Sequence, residues 1–350
     1  MKGTTIIVML AVATAGCLRS KDVSLEYPTP EPPAAATPLP KLELKRDAAL
    51  EAEFAKIAEA AKGKVGVAAV VIETGEAALL NADDRYQMQS VYKLPIAMAV
   101  MDQVRLGKLD LDEVIGVTPD DFVRKGMASP LRDKNPSGGE FTIRELIRLA
   151  LVESDGSASD VLIRVAGGAS EIQAYLEQIG IHDMKVANSE KEIGRDWATQ
   201  YQNWATPLAS VELLRWLDAD AKGWRPPNLD QELHGSQILL QVMMQSVTGP
   251  KRLKGLVPNG YPITIAHKTG TGGIQNGITS ATNDIGIIYT NDLRIAIAVY
   301  VSDSPADQRT RETVIARMAK AAYDRWSKAV VKKSTETVQP ANFNTRHTLN

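Results

Sequence analysis

The sequence predicts an α/β (α+β) fold in which a five-stranded, mostly antiparallel sheet is flanked by helices and carries an all-helical lobe. Three observations predict it. Two strand segments near the start of the chain are joined by a tight turn, and three more strand segments lie in its last third. Helical periodicity fills the region between these two groups and recurs at both ends of the folded part. Strands joined by short turns pair antiparallel, so the five segments are expected to form one sheet.

Each strand segment is a short apolar run bounded by turn residues. VGVAAVVIE, the turn TGE and AALLN predict the first two strands, whereas YPITIAHK, ATNDIGIIYT and LRIAIAVYVSDS predict the last three. Asn291 and Asp292 favour a turn between the final pair. Leu50 and Phe54 lie at helical spacing ahead of the first strand. This first helix and a last helix over about 306–326 are expected to cover one face of the sheet.

The middle of the chain is predicted to be helical. Helical spacing of apolar residues extends over 94–106, 142–152, 158–165, 169–179, 206–217 and 229–247. Polar connections separate these stretches, so they are expected to form a lobe of their own. A cleft where two lobes meet is a common place for a small-molecule site, and we expect the functional residues there.

The first 17 residues are typical of a secretory signal. Lys2 precedes an apolar run over about 6–13, and small residues lead to Cys17, the only cysteine in the chain. The run is too short for a transmembrane helix. Because Cys17 stands where cleavage would leave it N-terminal, the pattern resembles a bacterial lipoprotein signal; an ordinary signal peptide that ends near a cysteine is the alternative. We expect an exported, periplasmic protein, tethered to the membrane if Cys17 is lipidated.

Composition sets the predicted boundaries of the remaining chain. Prolines in YPTPEPPAAATPLP favour extended backbone and predict a tether, and the polar C-terminal stretch predicts disorder. The predicted parts are a Pro-rich linker at 18–45, a folded domain at 46–326 and a disordered tail at 327–350. Within the domain, the α/β lobe is expected at about 46–88 and 260–326, and the helical lobe at about 89–259.

Charge and composition exclude several classes of function. A formal net charge of −2 over 350 residues argues against the broad positive surface that nucleic-acid binding needs. A single cysteine excludes an internal disulfide. The four histidines are widely separated and show no metal-ligating spacing, so no metal site and no cofactor are predicted. A monomer that acts on a small molecule is the expectation.

Three short motifs occur in order along the chain. QSVYK holds Ser90 and Lys93 three positions apart at the start of a predicted helix. LVESDG places Ser154 and Asp155 ahead of Gly156, where one helix gives way to the next, and AHKTGT ends the third strand. A lone S-x-x-K is most simply a solvated lysine at a helix start, and Asp155 alone is most simply a helix cap. The ordered set, with an acidic loop between its second and third members, favours chemistry instead.

The ordered set resembles the class A serine β-lactamases and the related penicillin-binding proteins. QSVYK, YQNW and AHKTGT are similar to the PER-type extended-spectrum subgroup, and the likeness covers nearly the whole predicted domain. The resemblance implies a fold of the serine β-lactamase/penicillin-binding-protein type. It also implies a β-lactam as the small-molecule substrate and no cofactor.

The resemblance implies catalytic roles for the first two motifs. Ser90 would be the acylated nucleophile, Lys93 its partner in proton transfer and Ser154 a proton shuttle to the leaving nitrogen. Such a serine needs a base, because an unassisted hydroxyl is a poor nucleophile. Lys93 lies one helical turn from Ser90 on the same face, where it can exchange a proton directly or through water.

The resemblance also implies which residues bind the substrate. Lys268 and Thr269 would dock the substrate carboxylate, and the backbone N–H of Thr271, beyond Gly270, would complete an oxyanion hole with that of the nucleophile. Gly156 stands where the family has an asparagine that binds the acylamino side chain. Its missing side chain is expected to open space at that point.

An acidic loop distinguishes two kinds of enzyme. An acyl-enzyme is hydrolysed only if a base activates water against the ester, and otherwise the protein stays acylated like a penicillin-binding protein. The family loop motif E-x-x-L-N aligns Glu190 with its glutamate and Ile193 with its apolar position. Aligning Glu192 instead would put Arg195 at the apolar position, so Glu190 is the predicted base. Gly194 replaces the asparagine that positions water, so either another group holds the water or deacylation is slower.

The predicted function is hydrolysis of the lactam amide of penicillins or cephalosporins, which gives antibiotic resistance. A DD-peptidase or penicillin-binding protein that acts on cell-wall peptides is the alternative, and Glu190 argues against it. A non-catalytic penicillin sensor is a third hypothesis, although the sequence shows no transmembrane pattern after residue 17. A Ser-His-Asp triad with His267 is disfavoured, because strand alternation puts His267 on the face opposite Lys268.

Overall fold

The computed structural model describes residues 35–221, 233, 235–258 and 260–337, with side chains through residue 327. The predicted signal at 1–17, with Cys17, lies outside the described residues, as does most of the predicted linker. The end of the predicted tail, from 338 onward, and part of the helix predicted over 229–247 also lie outside them.

The strands of the described chain are β1 (Lys45–Arg46), β2 (Lys64–Val71), β3 (Glu76–Leu80), β4 (Tyr86–Gln87), β5 (Val114–Val117), β6 (Gly139–Thr142), β7 (Met184–Lys185), β8 (Trp204–Ala205), β9 (Thr264–Thr271), β10 (Ile274–Gln275), β11 (Ile278–Tyr289) and β12 (Arg294–Ser304). Seven form the main sheet, in the order β1-β3-β2-β12-β11-β10, with β9 also paired to β11. Every pair in it is antiparallel except β1 with β3. The mixed fold class is confirmed, but the predicted count of five strands is wrong. The two extra strands, β1 and β10, have two residues each and are too short to show an alternating pattern.

The helices are α1 (Ala48–Ala58), α2 (Lys93–Arg105), α3 (Pro130–Lys134), α4 (Ile143–Val152), α5 (Gly156–Val165), α6 (Ala169–Gln178), α7 (Glu190–Ile193), α8 (Pro207–Asp220), α9 (Ser236–Met244) and α10 (Gln308–Thr337). The lobe predicted as all-helical also holds the β5–β6 pair and the strands β7 and β8. These two join β4, from the predicted α/β lobe, in a small β4-β8-β7 sheet, and all five strands have two to four residues. The last helix continues through Thr337, beyond the predicted end at 326 and into the predicted tail. None of the helices in the described ranges is long and apolar enough to span a membrane.

The main sheet is buried on both faces. Alternation along β2 sends Val67 to one face and Ala68 to the other. Val67 joins a cluster with Phe54 of α1 and Val314 of α10, so the first and last helices cover the same face, as predicted. Ala68 belongs to a second cluster that continues through Leu214 of α8 into the helical lobe. Because both faces are covered, β2 is a continuous apolar run with no polar face.

Residues 35–46, which we call the strap, lie against the domain, although the prediction placed 35–45 in the linker. The Ala36 carbonyl oxygen accepts a hydrogen bond from Gln178 Nε2 at 3.1 Å, and that of Thr37 accepts one from Trp216 Nε1 at 2.9 Å. The leucines at 39, 42 and 44 then pack against the core, and the strap ends in β1, paired with β3. The strap therefore connects the helical lobe with one edge of the sheet.

Removal of the strap is expected to destabilise the domain. A chain that starts at residue 46 loses the hydrogen bond to Trp216 and the leucine contacts, at a cost of about 3 kcal/mol. For a domain of this length, that loss lowers Tm by roughly 5 °C. Thermal unfolding followed by circular dichroism would compare this chain with a matched control that starts at residue 35. Equal Tm values for the two chains would show that the strap contributes nothing.

Candidate active site

Ser90 lies in a turn of 3₁₀ helix, Gln89–Tyr92, and Lys93 is the first residue of α2. Gln89 has a φ of 48°, a left-handed conformation that is unfavourable for a residue other than glycine. This bend precedes Ser90, which lines the cleft between the two lobes. Lys93 follows one turn later and is buried.

Glu190 and Lys93 meet beside the predicted nucleophile. Glu190 Oε1 lies 2.9 Å from Lys93 Nζ and 3.4 Å from Ser90 Oγ. Lys93 Nζ also donates to the Ser154 carbonyl oxygen at 2.7 Å. Lys93 is 1 % exposed and Glu190 8 % exposed, so water screens their attraction only weakly. One carboxylate thus contacts both groups of the S-x-x-K motif.

Ser154 and Lys268 form the other side of this cluster. Ser154 follows α4 with a φ of 59°, and Asp155 caps α5 by accepting the Ala158 N–H at 2.9 Å. Lys268 Nζ donates to Ser154 Oγ at 2.8 Å and to the Thr269 carbonyl oxygen at 3.0 Å. The third motif is thereby joined to the second through a hydrogen bond between side chains.

Lys268 is fully buried and close to a second cation. Burial lowers the pKa of its ammonium group well below the ordinary value, and the positive charge of Lys93 lowers that pKa further. The carboxylates of Asp284 and Glu190 act in the opposite direction and favour the protonated form. Whether Lys268 is protonated therefore depends on the charges of its neighbours, and a bound anion would favour the protonated form.

Thr269, Gly270 and Thr271 form the end of β9, alongside the 3₁₀ turn. A side chain at Gly270 would collide with the Met88 carbonyl oxygen, so only glycine allows the strand to approach the turn this closely. Thr269 Oγ1 lies 2.6 Å from Thr248 Oγ1. Thr271 is exposed and lines the cleft.

The expectation that Gly156 opens space is wrong. A Cβ at this position would lie 3.2 Å from the Ala128 carbonyl oxygen and 3.2 Å from Val123 Cγ1. The Gly156 N–H donates to the same carbonyl at 2.9 Å. The neighbouring loop has therefore closed onto the glycine. Gly156 is buried and is not among the residues that line the cleft.

Asp160, which motif reasoning missed, anchors the loop that carries Glu190. This side chain on α5 accepts the backbone N–H groups of Glu190 at 2.7 Å and Lys191 at 3.0 Å. These are the first N–H groups of α7 and have no partner within the helix. Burial raises the pKa of Asp160 to about 7, and the Glu190 carboxylate raises it as well. The only signal in the sequence is one acidic residue within GSASDVLIRV.

Neither Glu192 nor Gly194 takes the role of the base or of the asparagine that positions water. Glu192 Oε2 accepts the Ser189 N–H at 2.9 Å and so caps α7, while its other oxygen lies 3.7 Å from Arg195. A Cβ at Gly194 would lie 2.7 Å from Met127 Sδ. The methionine therefore fills the space that an asparagine side chain would need.

The far end of the same loop is fixed by amide side chains. Asn203 Oδ1 accepts the N–H groups of Ala187 at 2.8 Å and Asn188 at 2.9 Å, and its Nδ2 donates to the Asn188 carbonyl oxygen at 2.8 Å. Gln89 Nε2 donates to Gln200 Oε1 at 2.7 Å. The loop thus contacts the residue that precedes the nucleophile.

Arg252 is a buried cation at the end of β9 that motif reasoning also missed. Its guanidinium donates to Thr271 Oγ1 at 2.8 Å and to the carbonyl oxygens of Gly270 at 3.1 Å and Asn283 at 3.0 Å. Glu312 on α10 lies 3.4 Å from its Nε. Arg252 lies outside every motif, so only the fold brings it to this strand end.

His267 lies on the opposite face of β9 from the cluster. Its Nδ1 is 2.9 Å from Asp284 Oδ2, and both side chains are fully buried. Lys268, one residue later, reaches Ser154 on the cleft side. Across the part of the chain that the structure describes, no group of three or more His, Cys, Asp or Glu residues could hold a metal ion.

The cleft has a volume of about 470 Å³. Ser90, Lys93, Ser154, Glu190 and Thr271 all line it. Lys268 does not line the cleft itself, but its ammonium group donates a hydrogen bond to Ser154 Oγ. The structure therefore brings a hydroxyl nucleophile, a carboxylate and two ammonium groups together around a space that a small molecule can enter.

Comparison with known proteins identifies the family. The model of the β-lactamase enzyme family matches residues 49–326. The chain is 33 % identical over 276 residues to the β-lactamase VEB-1 of Pseudomonas aeruginosa, covering 79 % of this chain and 89 % of that protein. It is 36 % identical over 278 residues to the extended-spectrum β-lactamase PER-1 of the same organism, covering 78 % and 86 %.

Solved structures agree with this assignment. A crystal structure of a β-lactamase from Chitinophaga pinensis DSM 2588 matches with a TM-score of 0.73 at 36 % identity, covering 79 % of this chain and 99 % of that one. The predicted resemblance to class A enzymes and to the PER-type subgroup is confirmed. The chain belongs to the β-lactamase enzyme family and, within it, to the class A serine β-lactamases.

Proposed function

We propose that this protein hydrolyses the amide bond of penicillins or cephalosporins through an acyl-enzyme on Ser90, which water activated by Glu190 then cleaves. Antibiotic resistance follows from this activity. One observation carries the proposal: Glu190 Oε1 lies 3.4 Å from Ser90 Oγ and 2.9 Å from Lys93 Nζ. A base beside the acylated serine separates a hydrolase from a protein that stays acylated.

Acylation removes a proton from Ser90 and delivers one to the lactam nitrogen. The serine oxygen attacks the lactam carbonyl carbon while its proton passes to Glu190 through water, or to Lys93 after Lys93 has given a proton to Glu190. The C–N bond then breaks, and the nitrogen takes the hydroxyl proton of Ser154. The proton that left Ser90 returns from Glu190 to Ser154 through Lys93, whose Nζ lies 2.9 Å from Glu190 Oε1 and 2.7 Å from the Ser154 carbonyl oxygen. Glu190 is then a carboxylate again, and Lys268 keeps its charge.

Two buried cations, Lys268 and Arg252, donate to Ser154 and Thr271, which line the cleft where the substrate carboxylate is expected. Lys268 contacts the Thr269 carbonyl oxygen, and Arg252 contacts Thr271 Oγ1. An ammonium and a guanidinium group close together favour a carboxylate over a neutral group. The N–H of Thr271, with that of the nucleophile, would stabilise the oxyanion that forms during attack.

Deacylation uses the same carboxylate as a base. Glu190 takes a proton from a water molecule as the water oxygen attacks the ester carbonyl; the ester C–O bond breaks, and Glu190 passes this proton to Ser90 Oγ. Asp160 holds the Glu190 backbone N–H at 2.7 Å and so fixes the base to α5. Because Met127 fills the space beside Gly194, the water must be positioned without an asparagine.

We also propose export to the periplasm, lipidation of Cys17 and a monomeric state. The support for export comes from Lys2, the apolar run over 6–13 and the single cysteine. Full-length protein from a bacterial host is expected to partition into detergent and to carry added mass at Cys17, and Cys17→Ser should lose both properties. A mature wild-type protein with an unmodified N-terminus would refute lipidation.

Ser90→Ala and Glu190→Gln should fail at different steps. During turnover of a chromogenic cephalosporin, intact mass should show an adduct that disappears in the wild type, persists in Glu190→Gln and never forms in Ser90→Ala. Deacylation of Glu190→Gln should be slower by at least about 100-fold, because the water loses its base.

The matched control for this experiment is Glu192→Gln, which removes a neighbouring carboxylate that caps α7 without contacting Ser90. It should turn over at close to the wild-type rate. A single burst that leaves a stable adduct on the wild type would indicate a penicillin-binding protein. Comparable fast turnover in Ser90→Ala would contradict the mechanism.

The fall of kcat/KM at alkaline pH, its alkaline limb, is expected to follow the loss of the proton from Lys268. Because its pKa is lowered in the folded protein, its docking charge is present at low pH and is lost as the pH rises through a value below about 10.4, the usual pKa of lysine. Lys268→Arg keeps its charge across this range. The limb should therefore move up by about one pH unit or more in the variant. An alkaline limb at the same pH in both proteins would assign it to another group.

A further inference from the structure

A buried carboxylate behind β9 touches none of the reacting groups described above. Asp284 on β11 and His267 on β9 are both fully buried. His267 Nδ1 lies 3.0 and 2.9 Å from the two carboxylate oxygens of Asp284. His267 Nε2 has no hydrogen-bond partner among the described residues. Within the described chain, Asp284 is therefore the hydrogen-bond partner that orients this ring.

Asp284 also holds the backbone of the segment that carries Arg252. Its Oδ2 accepts the N–H of Leu253 at 3.1 Å. The preceding strand residue, Asn283, accepts a hydrogen bond from the Arg252 guanidinium through its carbonyl oxygen at 3.0 Å. Two consecutive residues of β11 thus hold two consecutive residues of the other segment. The Asp284 side chain holds the Leu253 backbone, and the Asn283 backbone holds the Arg252 side chain.

This arrangement matters because Arg252, itself buried, contacts Thr271, which lines the cleft. From its buried position the guanidinium reaches the Gly270 carbonyl oxygen at 3.1 Å and Thr271 Oγ1 at 2.8 Å. A change in the backbone at Leu253 would be transmitted along the arginine side chain to these contacts. Burying an ionised carboxylate is costly unless it is hydrogen-bonded, and the contacts of Asp284 with His267 and Leu253 meet that requirement.

We propose that Asp284 is a positioning residue for substrate recognition: its contact with the Leu253 N–H, supported by His267, holds Arg252 at the end of the cleft that receives the substrate carboxylate. The inference rests on the proposed function for the identity of the ligand. Asp284 touches neither substrate nor nucleophile, and its effect passes through Arg252.

A double-mutant cycle tests this coupling. Asp284→Asn, Arg252→Gln and the double variant are compared for kcat, KM and the second-order rate constant of acylation, the last followed by intact mass. Asp284→Asn should raise KM about tenfold with little change in kcat, and should change KM less than about twofold when Arg252 is already replaced. His267→Gln removes the supporting donor and should give a smaller rise in KM that also vanishes with Arg252→Gln. The His267 cycle decides the question if Asp284→Asn does not fold.

The matched control is Asp218→Asn, which removes another buried carboxylate, paired with Arg294 at 2.6 Å. It should lower Tm without a tenfold rise in KM. Equal effects of Asp284→Asn in both Arg252 backgrounds, or an unchanged KM in the single variant, would overturn the positioning role. Failure of the proposed function gives a different result: the wild type would acylate but not turn over, and the acylation rates would still report the coupling.

Discussion

The site depends on the buried ion pair between Lys93 and Glu190. Its partners come from α2 and from a loop far along the chain, and they meet at 2.9 Å with almost no exposure to water. Removing one partner of such a pair usually costs about 3–5 kcal/mol, because the remaining charge stays buried without compensation. The loop around Glu190 must therefore be held accurately, which explains why Asp160 holds the backbone of Glu190 while Asn203 holds the residues just before it.

The same constraint organises the charges around the pair. Lys268 is fully buried near Lys93, and two ammonium groups in one region raise the free energy of the folded protein unless carboxylates offset them. Glu190 supplies one negative charge from the cleft side, and Asp284 supplies another from behind β9. A substrate carboxylate bound beside Lys268 would add a further negative charge and favour the protonated form of this lysine.

The sequence was informative where chemistry fixes both residue type and spacing. One helical turn links Ser90 to Lys93, and the apolar residue three positions after Glu190 selected that glutamate over Glu192. No such pattern marks Asp160 or Arg252. Each acts as a single side chain whose partners are distant in sequence, so no local pattern marks it.

Packing accounts for the remaining differences from prediction. The strap was predicted to be a tether because its few leucines stand among prolines and show no helical or strand pattern. In the structure these leucines pack against the core of the domain. Gly156 was expected to open space, but Val123 lies close to it because protein interiors are close-packed. The two-residue strands β1 and β10 are defined by their pairing with a neighbouring strand, so no pattern in the sequence marks them.

The most direct test of the account is the deacylation rate of Glu190→Asp, measured by intact mass after a short pulse of a cephalosporin. Shortening the side chain by one methylene group withdraws the carboxylate from the position it shares between Ser90 and Lys93. Because a misplacement of about 1 Å can reduce a rate about 100-fold, the acyl-enzyme should still form but decay about 100 times more slowly than in the wild type. Decay at the wild-type rate would contradict the central role of the Lys93–Glu190 geometry.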